Sequence, residues 1–378
     1  MKILIAPDSF KESLSAREAA DCIEKGLKSA FPKFHTKTIP LADGGEGTLD
    51  VLVTGGGGKF IKCEVSGPLG KKITAGYGIF SDEKTAVIEM AKASGLELLK
   101  LSERNPLKTT TYGTGELIKD ALSRGYRKII VCIGGSATVD GGMGMAQALG
   151  VKFIDAIGKP TGFGGGELNK VCRIDISGID RRIKKTQFIV ATDVKNPLTG
   201  SKGAASVYGP QKGATPAMVK VLEAGLNNFS KVIKKDLGKD VACMPGAGAA
   251  GGLGAGLHVF CGAKLQSGIE MVSQALNLEQ HIKNSDLVIT GEGRIDGQTV
   301  CGKTISGVLD LATKHKVPVV CVAGSVTPEA AVLYKKGVIG LFGIVPGPMK
   351  LEEALGKAGV LLYNASRNIG YMLKQYRG

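Results

Sequence analysis

The chain has 378 residues, enough for one large domain or two ordinary ones. Its 56 glycines are roughly twice the usual ~7% share, yet they show no X-Gly-Y period and no Gly/Ser-rich linker, which excludes collagen and a disordered chain. Lys and Arg exceed Asp and Glu by 49 to 34, a formal charge of +15; with 5% aromatics, no tryptophan, no zinc-finger spacing and no RNP-like string, this suits a lysine-rich solvated surface, or a field that attracts anionic small molecules, rather than nucleic acid.

The first sixty residues alternate strand and helix. "KILIA" is a short apolar run that suits a buried parallel strand. Ser15 and Glu18 then form an S-x-x-E capping box, behind which Ala19, Ile23, Leu27 and Ala30 recur at helical spacing, with Pro32 just past the end. "TKTIPLA" predicts a second strand, and Glu46 to Val53 a second helix closed by "GGGG".

From residue 61 to 284 the grammar changes. "KFIKCEVSGPLGKKITAGYGIF" and "KTAVIEMA" alternate in the manner of antiparallel hairpins, and "YRKIIVCIGG" and "TQFIVATDV" are buried strands ending in polar and glycine residues. The last 95 residues or so return to the opening pattern. There "DLVIT", "VPVVCVAG" and "GLFGIV" are strands, with a helix near Ile305 to Lys314. The expected fold is α/β: a flavodoxin-like, doubly wound domain of residues 1–60 plus 285–378, with a mixed α/β domain, 61–284, inserted in it.

Eight cysteines stand far apart with no C-x-x-C pair, and four histidines without H-E-x-x-H give no zinc site. Cysteines within apolar runs suit a reducing compartment. The apolar start is too short for a signal peptide and no run approaches the ~18 residues of a membrane span. A cytoplasmic protein with no membrane partner is expected.

In doubly wound sheets ligands bind beyond the carboxyl ends of the strands. After the first strand "APDSFKESLSA" offers Asp8, Ser9 and Lys11; after the second, "PLADGGEGT" offers Asp43 and Glu46; after "DLVIT", "GEGRIDGQT" offers Glu292, Arg294 and Asp296. In the inserted domain "GGSATVDGGMG" brings Gly134, Gly135, Ser136, Thr138 and Asp140, a loop whose amides suit an anion at a helix start. "FIVATDVKNPLTG" places Asp193 at a strand end, where it could hold Mg²⁺, accept a proton, or close an Asx-turn.

Two glycine strings imitate nucleotide motifs. "PGAGAAGGLGAG" holds a G-x-G-x-x-G at Gly246, Gly248 and Gly251, but no apolar strand precedes it, so a loop admitting close backbone approach is the better reading. "GQTVCGKT", residues 297–304, fits G-x-x-x-x-G-K-[ST]. A P-loop begins where its strand ends, whereas here the strand is expected to stop near Thr290, with "GEGRID" intervening.

Seven motifs then stand in one order: "APDSFKESLSA", "PLADGGEGT", "TYGTGELI", "IGGSATVDGGMGMAQALG", "DVKNPLTGSKGAASVYGPQKGA", "PGAGAAGGLGAG" and "TGEGRIDGQTVCGKTISGV". Together they resemble the bacterial glycerate kinase family, type 1, from residue 3 to about residue 345. The resemblance implies ATP-dependent phosphorylation of D-glycerate, with 2-phosphoglycerate as the expected product. It also implies Mg²⁺ as cofactor, ATP as co-substrate, no P-loop, and a reaction in an interdomain cleft. Glu12 stands where the family often has glycine.

Phosphoryl transfer needs positioned phosphates, a metal, cations for the developing charge and a carboxylate to orient the attacking hydroxyl. On that chemistry Asp193 and Asp296 are the candidate bases, and Asp193 and Asp43 the candidate metal ligands. Ser9, Lys11, Asp43, Glu46 and Arg294 are placed on the substrate. Gly134, Gly135, Ser136, Thr138, Gly246, Gly248, Gly251 and Lys303 are placed on the nucleotide phosphates. A nicotinamide-dependent oxidoreductase acting on a small hydroxy acid is the alternative, resting on the G-x-G-x-x-G alone; a homodimer is an admitted assembly.

Overall fold

The computed structural model describes residues 1–45, 47–55, 57–80, 82–296 and 304–375. Glu46, Gly297 and Lys303 therefore lie outside the described residues. The chain divides into two compact units. The first comprises 1–43, 50–56 and 269–378, the second 44–49 and 57–268. The sequence placed the later boundary at 284/285; the contacts place it at 268/269.

In chain order the elements are β1 (Lys2–Ile5), α1 (Ala16–Ala30), β2 (His35–Thr38) and α2 (Thr48–Gly55). Next come β3 (Lys59–Ser66), β4 (Lys72–Ile79), β5 (Thr85–Glu89), α3 (Ala91–Ser94), α4 (Tyr112–Ser123) and β6 (Lys128–Cys132). They are followed by α5 (Met143–Ala148), β7 (Lys152–Ile154), β8 (Arg173–Asp175), β9 (Gln187–Ala191), α6 (Ala204–Tyr208) and α7 (Pro216–Leu237). Then α8 (Leu253–Cys261), β10 (Lys264–Gln266), α9 (Gly268–Ala275) and α10 (Leu278–Lys283) lead back into the first unit. The chain ends with β11 (Leu287–Ile295), α11 (Thr304–Lys314), β12 (Val319–Val326), β13 (Val338–Gly343), α12 (Leu351–Gly356) and α13 (Ala358–Gln375).

The first unit is built on an all-parallel sheet in the order β13-β12-β11-β1-β2. Counted within the unit this is the flavodoxin-like order 2-1-3-4-5, whose strand order reverses between β1 and β11. Ile3 and Ile5 of β1 join Leu287, Ile289, Val320 and Val322 in a core sealed by Ile23 and Leu27 of α1 and by Leu362 and Ile369 of α13. Leu4, Val288, Val319 and Cys321 are buried as well, as expected for a sheet covered on both faces. The predicted capping box forms: Glu18 N–H donates to Ser15 Oγ at 3.2 Å, and Ser15 N–H to Glu18 Oε2 at 2.9 Å.

Two expectations need correction. β2 ends at Thr38, so "IPLA" is not strand. β11 does not stop near Thr290 but runs to Ile295. The glycines beyond Thr290 are strand glycines admitting close backbone contact. A Cβ on Gly291 would lie 1.9 Å from Val322 O, and one on Gly324 would lie 2.4 Å from Gly293 O.

The second unit carries a six-stranded sheet in the order β10-β9-β6-β5-β4-β3. β5, β6, β9 and β10 are parallel, and β3 and β4 form the predicted antiparallel hairpin. β7 and β8 make a separate two-stranded ribbon. Its principal core packs Ile88, Ile129, Val131 and Val190 against Leu117, Leu122, Leu253 and Leu257.

Candidate functional site

The loop after β1 is tightly tied. Ala6 N–H donates to Ile289 O and Asp8 N–H to Gly291 O, both at 2.8 Å, so β1 and β11 run side by side up to the point where the strand order reverses. Phe10 and Leu14 then exchange two backbone bonds at 2.9 Å, closing a turn that carries Lys11 and Glu12 outward. Glu12 takes φ 65°, a left-handed conformation that only glycine adopts without strain.

Beyond the carboxyl ends of these strands opens a pocket of about 740 Å³ lined entirely by the first unit. Its polar side is made by Asp8, Ser9, Lys11, Asp43, Glu292, Arg294 and Asp296. Its apolar side comes from Ile344, Val345 and Met349 after β13, and from α12 and the start of α13. The structure thus brings together five residues expected on the substrate or as base: Ser9, Lys11, Asp43, Arg294 and Asp296.

Asp8 sits at the centre of the polar side. Its carboxylate accepts from Ser9 N–H at 2.6 Å and from the Thr304 hydroxyl, the first residue of α11. Burial, with the neighbouring Asp43 carboxylate second, pushes Asp8 up to about 6, against the pull of Thr304, Ser9 and Lys11. Arg294 Nε lies 3.3 Å from Asp296 Oδ2, an exposed guanidinium anchored by the carboxylate beside it.

In the second unit, Asp193 follows β9. Its Oδ1 accepts from Ser267 Oγ at 2.7 Å and Gly268 N–H at 3.2 Å, so the carboxylate is oriented by the segment after β10. Glu89, at the end of neighbouring β5, is 1% exposed and accepts from Leu49 N–H at 3.4 Å. It is a strand-end carboxylate that the sequence reading passed over inside "KTAVIEMA".

The loop Gly134–Thr138 is held from several sides. Leu96 N–H donates to Gly135 O at 2.8 Å, Ala137 N–H to Ser94 O at 2.9 Å, and Thr109 Oγ1 to Ala137 O at 2.8 Å. Lys212, 2% exposed, donates to Ser136 Oγ at 2.5 Å and to Thr138 O at 2.8 Å. Asp140 is fully buried. Its Oδ2 accepts from Thr111 N–H and Oγ1 and Gly144 N–H, and its Oδ1 from Gly142 N–H. The two helix-start amides are thus taken by the chain's own carboxylate.

Gly246, Gly248 and Gly251 serve packing. A Cβ on Gly248 would lie 2.1 Å from Pro197 O, one on Gly251 1.9 Å from Thr138 O, and one on Gly246 2.7 Å from the Leu265 side chain. No strand occupies the described residues just before them, so the dinucleotide fingerprint lacks its context.

Sequence reasoning had named Asp8 and Glu292 as strand-end groups without giving them a role, and it missed Lys212, Glu89 and the apolar side of the pocket. Strand ends carrying acids were a usable signal for the carboxylates. Nothing in "GPQKG" marks its lysine as buried.

A switch-point pocket rimmed by carboxylates and cations, on an α/β fold of two units, defines an enzyme-like protein for small anionic ligands. The profile of the glycerate kinase family matches residues 3–374. The chain is 52% identical to a glycerate kinase of Halalkalibacterium halodurans over 97% of both chains. It is also 52% identical to the glycerate 2-kinase of Escherichia coli K12, over 99% of this chain and 98% of the relative. A crystal structure assigned as a glycerate kinase 2 of Salmonella typhimurium LT2 superposes with a TM-score of 0.89 at 48% identity, covering 99% of this chain and 98% of that one. The chain belongs to the glycerate kinase family. Among the described residues no helix is long and apolar enough to cross a membrane.

Proposed function

We propose that the protein transfers the terminal phosphoryl group of ATP to the 2-hydroxyl of D-glycerate, giving 2-phosphoglycerate. The observation that carries this reading is the convergence of Ser9, Lys11, Asp43, Arg294 and Asp296 on one switch-point pocket. Lys11 and Arg294 are the cations for the glycerate carboxylate, a planar anion that a guanidinium recognises well. Asp296, or Asp8 with its proton affinity raised toward neutrality, is the candidate to orient and deprotonate the attacking hydroxyl. Asp193 is the corresponding candidate in the second unit, where the loop Gly134–Thr138 is assigned to the nucleotide phosphates; Lys303 is assigned to them too.

The donor set also fits Mg²⁺. Among the described residues no cluster of three or more His, Cys, Asp or Glu is built for a metal. Mg²⁺ does not ask for one, since it binds through one or two carboxylates plus substrate phosphates. The Asp43 carboxylate raises the cost of ionising Asp8, which a divalent cation relieves. Asp43 with Asp8 in the first unit, or Asp193 in the second, are the residues that would hold it, and when bound it supplies charge neutralisation on the phosphate oxygens.

The test is ADP release from purified protein with ATP, Mg²⁺ and D-glycerate, with the product identified by phosphorus NMR. Asp193→Asn and Asp296→Asn should each lower turnover by at least about 100-fold, the low end of a general-base contribution. Full activity in both variants, or a phosphorus signal from the 3-phosphate, would overturn the corresponding part of the reading.

A further inference from the structure

We propose that Lys212 is a positioning residue for nucleotide binding: its buried side-chain nitrogen ties the Ser136 hydroxyl to the Thr138 carbonyl and so fixes the loop Gly134–Thr138 in its binding shape. The inference rests on the assignment of that loop to the phosphates.

The argument starts from cost. A lysine at 2% exposure has given up the water that solvates an ammonium, and such a group persists only where specific acceptors replace that water. Two acceptors do so here, Ser136 Oγ at 2.5 Å and Thr138 O at 2.8 Å, both on the same five-residue loop. The lysine comes from the segment between α6 and α7, more than seventy residues away in sequence, so the bond is a long-range tie and not local turn chemistry. The loop's other ties, from Ser94, Leu96, Thr109 and the packing of Gly251 on Thr138 O, are neutral. Lys212 is the tie among these that reaches two points of the loop at once, Ser136 Oγ and Thr138 O.

A second observation bears on the ligand. Thr138 is completely buried, and its Oγ1 finds no hydrogen-bond partner among the described residues. With its carbonyl held by Lys212, the threonine keeps its hydroxyl unspent beside the loop, and a phosphoryl oxygen is an acceptor that would use it. Asp140 is the charge that acts on Lys212. It balances the ammonium without bonding it, since the Asp140 bonds described above go to Thr111, Gly142 and Gly144.

The variants are Lys212→Met, which keeps the stem and removes the charge, and Ser136→Ala, which removes one acceptor and leaves the lysine. ADP and ATP affinities are read by calorimetry, and KM is read separately for ATP and glycerate. The expected result for Lys212→Met is at least a tenfold loss of ADP affinity and a matching rise in KM for ATP, with KM for glycerate unchanged and the circular dichroism spectrum preserved. Ser136→Ala should move the same two quantities in the same direction by a smaller factor. A folded Lys212→Met protein with wild-type ADP affinity overturns the proposal, and so does an equal rise in both KM values. If Lys212→Met does not fold, Ser136→Ala decides: unchanged ADP affinity there also overturns it. If the wild type binds ADP but phosphorylates no glycerate, the functional reading fails, while the loss of ADP binding in Lys212→Met still tests the tie.

Discussion

Lys212 also makes a thermodynamic prediction independent of catalysis. Burial pulls its ammonium from the ordinary 10.5 down to about 7, against the attraction of Asp140. Because the folded value is depressed, the unfolded chain holds more protons between about 7 and 10.5, and the stability contributed by this site rises with pH across that window. Below about 7 both states are protonated and the burial cost is constant. Taking the two values through the linkage relation, the site opposes folding by about 4 kcal/mol at pH 7 and by about 2 kcal/mol at pH 9. Lys212→Met lacks this term.

The absolute stability of the variant mixes that relief with the loss of two hydrogen bonds and the orphaning of Thr138 O and Ser136 Oγ, each about 1–3 kcal/mol. The pH dependence separates them, because the lost bonds contribute a constant. Urea unfolding followed by far-ultraviolet circular dichroism at pH 7, 8 and 9, at fixed ionic strength, should show the variant's stability relative to wild type falling by about 2 kcal/mol from the lowest pH to the highest. Unchanged m-values would show that the same transition is being compared. Parallel pH curves would refute the reasoning, since they would mean that the lysine does not change charge on folding in this range.

Asp8 has the opposite sign. Its folded value lies above its unfolded one, so its contribution is fully present below about 3.8 and is lost as pH rises through about 6. Asp8→Asn should therefore gain up to about 3 kcal/mol relative to wild type between pH 4 and pH 8 by the same unfolding assay, while losing turnover. Glu12→Gly relieves a left-handed φ of 65° and should raise stability by about 0.5–1 kcal/mol, the relief of strain less the backbone freedom of glycine in the unfolded chain; calorimetric melting is the check. Gly251→Ala puts a methyl 1.9 Å from Thr138 O at φ +67°, so a marked drop in melting temperature or loss of soluble protein is expected, and an unchanged melt would contradict the packing. Gly297→Ala should leave KM for ATP within about threefold, about 0.7 kcal/mol, if the string 297–304 is not a P-loop; a loss well beyond that in a nucleotide-binding titration would favour the P-loop.

What the sequence displayed well was anything set by local physics. The capping box at Ser15 and Glu18, the apolar parallel strands and the hairpin of β3 and β4 each follow from side-chain period or a two-residue exchange of bonds. The candidate carboxylates were legible for a related reason: a polar residue at the end of a buried strand must face the crevice or the solvent. What stayed hidden depends on distant partners. Asp43 acts on Asp8 from the segment after β2, Asp193 is oriented by Ser267, and Lys212 is tied to a loop more than seventy residues earlier. A lysine before a glycine looks the same in sequence whether its Nζ meets water or a carbonyl.

Glycine caused the most instructive error, because one residue type serves two opposite ends. In "TGEGRID" the strand is expected to stop near Thr290, whereas Gly291 continues it and lets β12 approach within 1.9 Å of where its Cβ would be. That correction moves the end of β11 to Ile295, and α11 opens at Thr304, so the stretch between strand and helix is only residues 296–303, of which 297–303 lie outside the described residues. The objection from spacing to a phosphate-binding loop is thereby removed. A different objection takes its place: the Thr304 hydroxyl, which a P-loop would direct to the metal, is bonded to the Asp8 carboxylate, itself at a neighbouring strand end. Thr304 thus holds a carboxylate in the switch-point pocket, and the helix start that the string announces is tied to the substrate residues of that pocket.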